Sequence, residues 1–531
     1  MRRASLLILF LLRAAFSGAE QSYPELAATI EYRHDAVDYD APATDFYRSS
    51  LRMNLSGKSS CGITTMYMAQ GERRCTWNLA LLDLAPSAWC IAGHYYAHFG
   101  YGLLMGRRMR VSPDEFQMTS ELSRGTSFAP CRSGNPLYSF QGIAMGYAFH
   151  FRGFSLSVNP FYSMRERYAH CDAEGTLVSD SSLSTLNMRL NRRYPYTLPI
   201  IITDAGIMAE MKGGDRVAIQ AYWFQTDIKS AGQERVLWDY DRTSYLAGAI
   251  RSIYALGLYA LYRDEFVSLF AELGLPCREM EQIDGSKRVI RDYGILYGLE
   301  LRHRYASFLF RGKETGTRFY SQYGRGGNYP EREWYGAVKI IPMEHLILGS
   351  AFSFEKGLAP VQEDYSPVTM REKVNVKCLF SDRSWISFRL TRISRDREHR
   401  GGESLQGKSV LRLQLSDSFR FGGSALAQRR QGRGISASCG ADLTAALFRR
   451  LSVSLYYSWF FISTGDSLYR NSSPWRGSVT SGLSVSESSH LAGCGFVYTL
   501  GRTRAWLRYS HQFTGGRSVS WRVEAFGSLV L

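Results

Sequence analysis

The chain has 531 residues, 45% hydrophobic, 21% charged and 14% aromatic, with 64 Lys and Arg against 48 Asp and Glu and a net charge of +16. This much apolar and aromatic material excludes a disordered chain, and 9 Cys over this length exclude a disulfide-stapled scaffold. A mean hydropathy of −0.22, with charges recurring along the sequence, excludes a bundle of membrane-spanning helices and leaves a large globular chain or a transmembrane β-barrel.

The N-terminus reads as a secretory signal peptide. Met1, Arg2 and Arg3 are a basic start, residues 4–12 are an apolar run, and Ser17, Gly18 and Ala19 supply the small residues of a cleavage site after Ala19. Arg13 interrupts the pattern, and the competing reading is a short buried N-terminal helix. Loss of residues 1–19 removes three Arg and no acid, which leaves +13 of the +16 on residues 20–531. A basic balance suggests anionic partners. Export argues against nucleic acid and points to anionic lipids of the lipopolysaccharide kind or to anionic solutes.

The stretch 84–106 has no Asp, Glu, Lys or Arg and is long enough to span a bilayer as a helix. Pro86, Gly93, Gly100, Gly102, Gly106, His94 and His98 make it a poor one, and it reads better as a hairpin. Ser112, Pro113 and Glu115 form a capping-box pattern that predicts a short helix to about Leu122, decorating a loop or the lumen. The stretches 111–135 and 170–186 are candidates to fold inward as a constriction. Cys131 and Cys171 lie in polar contexts where they could pair. The run 246–262, interrupted by Arg251, is ambiguous between two strands and a buried helix.

Farther on, period two dominates. Tyr297, Leu299 and Leu301 alternate with Gly298, Glu300 and Arg302; Ile386, Phe388 and Leu390 with Ser387, Arg389 and Thr391; Leu411, Leu413 and Leu415 with Arg412, Gln414 and Ser416. Leu451, Val453, Leu455, Tyr457 and Trp459 share one face, and Trp521, Val523, Ala525, Leu529 and Leu531 share another. Such alternation marks strands with one apolar and one polar face. Turn clusters such as Gly213-Gly214-Asp215, Gly326-Gly327-Asn328 and Thr464-Gly465-Asp466 separate the runs. The predicted fold is all-β: one large antiparallel transmembrane β-barrel over residues 20–531, of about 20–24 strands (range roughly 16–26), each ~9–11 residues long, with a short helix in a loop. Trp385, Tyr457, Trp459 and Trp521, near strand ends, are predicted to sit in the aromatic girdles at the membrane interfaces.

The signal peptide, the alternating runs through Leu531 and the aromatic-apolar closing strand make the chain resemble a bacterial outer-membrane β-barrel protein. The run Phe99-Gly100-Tyr101-Gly102-Leu103 also resembles an F-G-x-G-L element of uncharacterised large barrels of diderm bacteria. The resemblance implies recognition of the last strand (Trp521, Val523, Ala525, Phe526, Leu529 and Leu531) by the barrel-assembly machinery. Many members end in Phe or Trp where this chain ends in Leu531.

Motifs for chemistry are scarce. Gly100, Gly102 and Gly106 lack the spacing of a dinucleotide fingerprint, and there is no P-loop. On a strand His94 and His98 stand ~13 Å apart, so they are not read as a metal pair. No nucleophile elbow or G-x-S-x-G element is present, so no catalytic residue, metal or cofactor is assigned and the chain is read as a non-enzyme. Arg302, Arg389, Arg412 and Arg508 fall at polar alternate positions and are predicted to face the lumen, where they either attract anions or brace the wall against acids such as Glu300 and Glu524. The function that follows is an outer-membrane channel or transporter with a basic lumen, passing small or anionic solutes. A surface adhesin or structural barrel is the alternative, and an outer-membrane hydrolase the third reading.

Overall fold

The computed structural model describes residues 25–530 except 38–43, 57–58, 68–72, 86, 107–127, 132–138, 172–176, 179–195, 231–237, 240–247, 283–285, 318, 320–330, 358–367, 397–401, 433, 449, 464–467, 472–481, 486–487, 501–502 and 515–516. The expected signal peptide, the helix after Ser112 and the terminal Leu531 lie outside these residues. The described residues contain strands and no helix.

Among the described residues, twenty-four long strands succeed one another round a ring. They are β1 (Glu25–Val37), β2 (Thr44–Ser56), β3 (Ser59–Tyr67), β4 (Arg73–Ala85), β5 (Ala88–Ala97), β6 (Phe140–Phe151), β7 (Phe154–Cys171) and β8 (Tyr196–Gly213). Then follow β9 (Val217–Ser230), β10 (Gly248–Arg263), β11 (Val267–Gln282), β12 (Gly294–Arg302), β13 (Ala306–Thr315), β14 (Glu331–Met343), β15 (Leu346–Gly357) and β16 (Val368–Ser381). The last are β17 (Ser384–Asp396), β18 (Gly402–Gln414), β19 (Phe419–Arg430), β20 (Ile435–Phe448), β21 (Leu451–Phe461), β22 (Ser489–Leu500), β23 (Thr503–Thr514) and β24 (Arg517–Val530). Each pairs antiparallel with its neighbour, and β1 pairs with β24 from Ala27 opposite Val530 to Val37 opposite Ser520. That last ladder closes the ring, so none of these twenty-four strands is left as an edge.

The described part of the ambiguous run 246–262, from Gly248 on, lies in the single strand β10. Its ladder with β11 slips between Ile250 and Ser252, so a bulge absorbs Arg251 without ending the strand. The expected hairpin in 84–106 is half correct: β4 and β5 form it, but the chain leaves the wall after Ala97.

Connections alternate in length. Those after the even-numbered strands are tight, as at 152–153, 214–216, 264–266, 303–305, 344–345 and 382–383, whereas those after β5, β7, β9, β13 and β21 are long. One end of the ring therefore carries tight turns alone, and the other carries all the long connections together with a few short ones, such as the two residues between β23 and β24.

The pleat gives each strand two faces, and following the registers round the ring keeps each face continuous. One face carries large exposed apolar side chains: Leu256 52%, Leu258 50%, Leu269 46%, Phe388 51% and Leu390 50%. Aromatics concentrate at its two rims. Phe151, Phe154, Phe266, Tyr305, Phe380 and Phe448 stand beside the tight turns, and Trp334, stacked on Phe354 at 5.3 Å, with Tyr457, Trp459 and Phe461 toward the long connections. An aliphatic band between two aromatic belts is the outer surface of a membrane barrel. Leu256, midway along β10 and opposite Trp223 and Leu275, lies at the centre of this band. Leu256→Arg is expected to cost about 2–4 kcal/mol of unfolding free energy in lipid, whereas Ser387→Arg on the opposite face is expected to be tolerated; urea titration of the barrel in vesicles checks the pair.

Candidate functional site

The segment after β5 identifies the inside of the ring. Phe99 meets Phe161 of β7 at 5.8 Å and Tyr222 of β9 at 5.1 Å between ring centroids. Tyr101 stacks on Phe270 of β11 at 4.5 Å, and Leu104 packs where a side chain on Gly274 would clash. One nine-residue segment touches β7, β9 and β11 together only if those strands curve around it. The face that holds Phe161, Tyr222 and Phe270 is therefore the lumen.

Residues 98–106 are held there by a buried carboxylate. Glu272, on β11 and 1% exposed, accepts the backbone N–H of Tyr101 at 2.7 Å, the backbone N–H of Leu103 at 3.1 Å and the Tyr222 hydroxyl at 2.7 Å. Gln220 extends the clasp, accepting the Gly100 N–H at 2.7 Å and donating to Glu210 at 2.7 Å. The turn closes on itself, with Phe99 N–H donating to Met105 O and Gly102 N–H to Phe99 O, both at 2.9 Å. Gly100 and Gly102 have φ of +55° and +89°, which L side chains rarely adopt, and a Cβ on Gly100 would strike the Glu272 carboxyl. Phe99, Leu103, Leu104 and Met105 are almost wholly buried. The F-G-x-G-L element is thus an inward fold with its backbone donors satisfied, as irregular backbone at membrane depth requires.

Most of the loop 170–186 and most of the stretch 111–135, the candidates for a constriction, lie outside the described residues. Of that stretch only residues 128–131 are described: Phe128–Pro130 pairs with β5 beyond β6, and Phe128 joins the same buried cluster. Cys131 is a free, buried thiol donating to the Tyr96 hydroxyl at 3.2 Å, so the suggested pairing with Cys171 is not made. His94 is buried against the backbone N and O of Trp77, both 3.2 Å from its Nδ1. No group of metal-binding side chains occurs among the described residues.

All four predicted arginines lie on the lumen face by register. Arg302 donates to Asp264 O and to Ser268 Oγ, both at 2.7 Å, while the nearby Glu300 carboxylate is buried without a hydrogen-bond partner. Arg412 donates to both oxygens of Asp442 at 2.8 Å. Arg508 lies opposite Glu524 on β24, with its guanidinium 5.1 Å from the Trp506 ring centroid. Arg389 lies between Asn375 of β16 and Lys408 of β18.

The aromatic assignments divide. Tyr457 and Trp459 lie on the outer face, 48% and 39% exposed. Trp385 does not belong to the girdle: it is opposite Leu379 and Arg412 and shares the lumen face with Arg389, two pleats along. Its ring lies 4.6 Å from Lys377 Nζ, a cation–π contact that explains an inward indole. Trp521 is on β24 opposite Ala36 and His511, and its side chain lies outside the described residues. The belt beside the tight turns escaped the sequence reading. Its signal was an aromatic next to a short basic turn, as in Phe151-Arg152-Gly153-Phe154 and Arg304-Tyr305.

Charge on the lumen face is uneven. The wall of β7–β12, where residues 98–106 dock, mixes Asp204, Glu210, Glu272 and Glu300 with Arg165, Arg278 and Arg302. Across β16–β19 the inward register positions carry Arg371, Lys373, Lys377, Arg389, Arg395, Lys408, Arg412, Arg420 and Arg430, and no Asp or Glu. Sequence reasoning found two of these nine, because it examined only the cleanest alternating runs.

No protein-family model and no curated protein sequence matches the chain. Solved structures do. A mutant ferric enterobactin receptor of Pseudomonas aeruginosa in complex with enterobactin is similar over 97% of this chain and 82% of its own, at 9% identity and a TM-score of 0.50. The fold is that of a large outer-membrane β-barrel. The siderophore receptor PirA of Acinetobacter baumannii (8% identity, TM-score 0.49) covers 97% of this chain and 81% of its own. The translocation pore of the P pilus usher (11%, 0.43) covers 95% of this chain and 99% of its own.

Glu272→Ala leaves the N–H groups of Tyr101 and Leu103 without their buried acceptor, at about 1–3 kcal/mol each. The variant barrel is expected to melt earlier and to expose residues 98–106 to protease added from the lumen, whereas Tyr222→Phe, which keeps both N–H bonds, is expected to do neither. Thermal unfolding in detergent and limited proteolysis check both.

Proposed function

We propose that this chain resides in the bacterial outer membrane and conducts small solutes, with a preference for anions. The observation that carries the reading is the lumen stripe of β16–β19, nine cations and no acid at the inward register positions. A ring of twenty-four strands is too wide for its wall side chains to fill. Among the described residues, 98–106 occupy one wall and leave the basic stripe facing the axis. Fixed positive charge on a low-dielectric wall concentrates anions and repels cations. The outer face is the counterpart: aliphatic band and aromatic belts to meet outer-membrane lipids, with basic turn residues such as Arg152, Arg216 and Arg304 placed for anionic headgroups. By the asymmetry of connection lengths, the tight turns face the periplasm and the long connections the exterior. Barrel-assembly machinery is the partner such a barrel requires for insertion. No nucleic-acid partner, cofactor or catalytic role forms part of this reading.

Reconstituted in planar bilayers under a KCl gradient, the protein is expected to conduct with a reversal potential on the chloride side. Replacing Lys377, Arg389 and Lys408 together with Gln is expected to shift that potential toward zero without abolishing conductance. A folded barrel that conducts nothing, or a cation-selective current, overturns the proposal; an adhesin or structural barrel predicts the first of these.

A further inference from the structure

The wall of the ring is not equally secured all the way round. Between β4 and β5 the ladder runs from Leu81 opposite Cys90 only to Asn78 opposite Gly93, with Ala85 opposite Ala88 beside the turn. On its other side β4 pairs with β3 without interruption from Ala80 to Arg73. The next pair above Asn78 and Gly93, toward the long connections, is Trp77 and His94. They meet through a side chain: Nδ1 of His94 lies 3.2 Å from both the backbone N and the backbone O of Trp77. Gly93 permits the departure, with φ of +91° and a Cβ position that would strike the Trp77 carbonyl oxygen and ring. Cys131 is wedged into the break. Its N–H donates to His94 O at 2.8 Å, and its carbonyl accepts from Asn78 Nδ2 at 2.7 Å. A few side-chain bonds and one wedged residue therefore hold a stretch of wall that a ladder holds elsewhere, and such a stretch opens at lower cost than a continuous ladder. Both sides of it are apolar. Inside lie Tyr95, Phe99, Phe128 and Phe140 of the buried cluster; outside, Leu51, Ile63 and Trp77 form one exposed register row across β2, β3 and β4.

We infer that this break is a lateral gate between the lumen and the membrane, and that its solute is an anionic amphiphile with one long acyl chain, a long-chain carboxylate. The two walls of the lumen suit the two ends of such a molecule. The cations of β16–β19 attract the carboxylate, and the apolar cluster behind the break receives the chain. A small inorganic anion gains nothing from the cluster, and a neutral hydrocarbon nothing from the stripe. Opening parts the bonds of His94 and Asn78 and draws Cys131 out of the wall. Phe128, three residues earlier, then moves off Trp89 and Phe99, whose ring centroids lie 5.3 and 5.5 Å from its own, and uncovers the cluster to the chain. The ladders of β4 with β3 and of β5 with β6 stay closed, so the barrel keeps its frame. This inference rests on the lumen reading above and names a solute class for it.

The test uses the full chain in phosphatidylcholine vesicles, with Cys131 kept as its single cysteine and oleate as the solute. Oleate is expected to speed labelling of Cys131 by a membrane-dissolved maleimide severalfold, whereas dodecane and chloride leave the rate unchanged. Asn78→Ala is expected to raise the rate without oleate, and Asn159→Ala, on β7, is expected not to. Heat-modifiable migration confirms that each variant is folded. A photoactivatable analogue of oleate is expected to cross-link to residues 98–106 and 128–131 as well as to the outer face. Cross-links confined to the outer face, or Cys131 labelling that oleate does not change, overturn the gate. Planar-bilayer recordings keep the two proposals apart. An anion-selective current from a barrel whose Cys131 stays unlabelled overturns the gate and leaves the channel, whereas oleate cross-linked in the lumen of a barrel that conducts nothing overturns the channel and leaves the gate.

Discussion

Closure of the ring by β1 on β24 is the interaction on which everything else rests. A sheet in hydrocarbon has no water to satisfy an edge, and each unpaired N–H or C=O there costs several kcal/mol. The eleven-residue register between the first and last strands removes both edges at once. Because the ladder joins residues some 490 positions apart, no local propensity secures it; it depends on every intervening register being correct. A slip by one residue anywhere would turn a strand's leucines into the lumen and its arginines into lipid.

Closure also creates an inside, and the two walls of that inside differ. The wall of β7–β12 pairs acids with bases and carries the inward fold of residues 98–106, clasped by Glu272 and packed against Phe161, Tyr222 and Phe270. The wall of β16–β19 carries nine cations and no acid at its inward register positions, and Arg412 pairs with Asp442 on the neighbouring β20. Among the described residues, one side of the ring therefore carries mixed charge and the inward fold, and the other carries an excess of cations.

Several sequence expectations failed for one reason, that a one-dimensional pattern does not say which neighbour a residue meets. Trp385 looks like a girdle aromatic because it lies at a strand end, but its pleat position is that of Arg389, and Lys377 on the neighbouring strand gives its ring a cation to cover. Cys131 and Cys171 look pairable in polar surroundings, yet Cys131 is buried against Tyr96. Arg251 looks like a break in the run 246–262, yet a bulge carries the strand past it. Glu272 drew no notice in the sequence, since nothing local distinguishes it from any other inward carboxylate. Its importance comes from a backbone segment about 170 residues away that needs acceptors.

The sequence by itself determined that these strands exist and which side of each is apolar, because alternation is written residue by residue and the cost of charge in lipid fixes its sense. It also determined that Arg302, Arg389, Arg412 and Arg508 share the polar side. Only the tertiary structure decided the number of strands in the ring, the clustering of cations on one wall and the inward fold at Phe99. Those features arise from registers between strands and from contacts across the lumen. Such contacts are set by the collective requirement that every backbone group find a partner, and no single stretch of sequence contains that requirement.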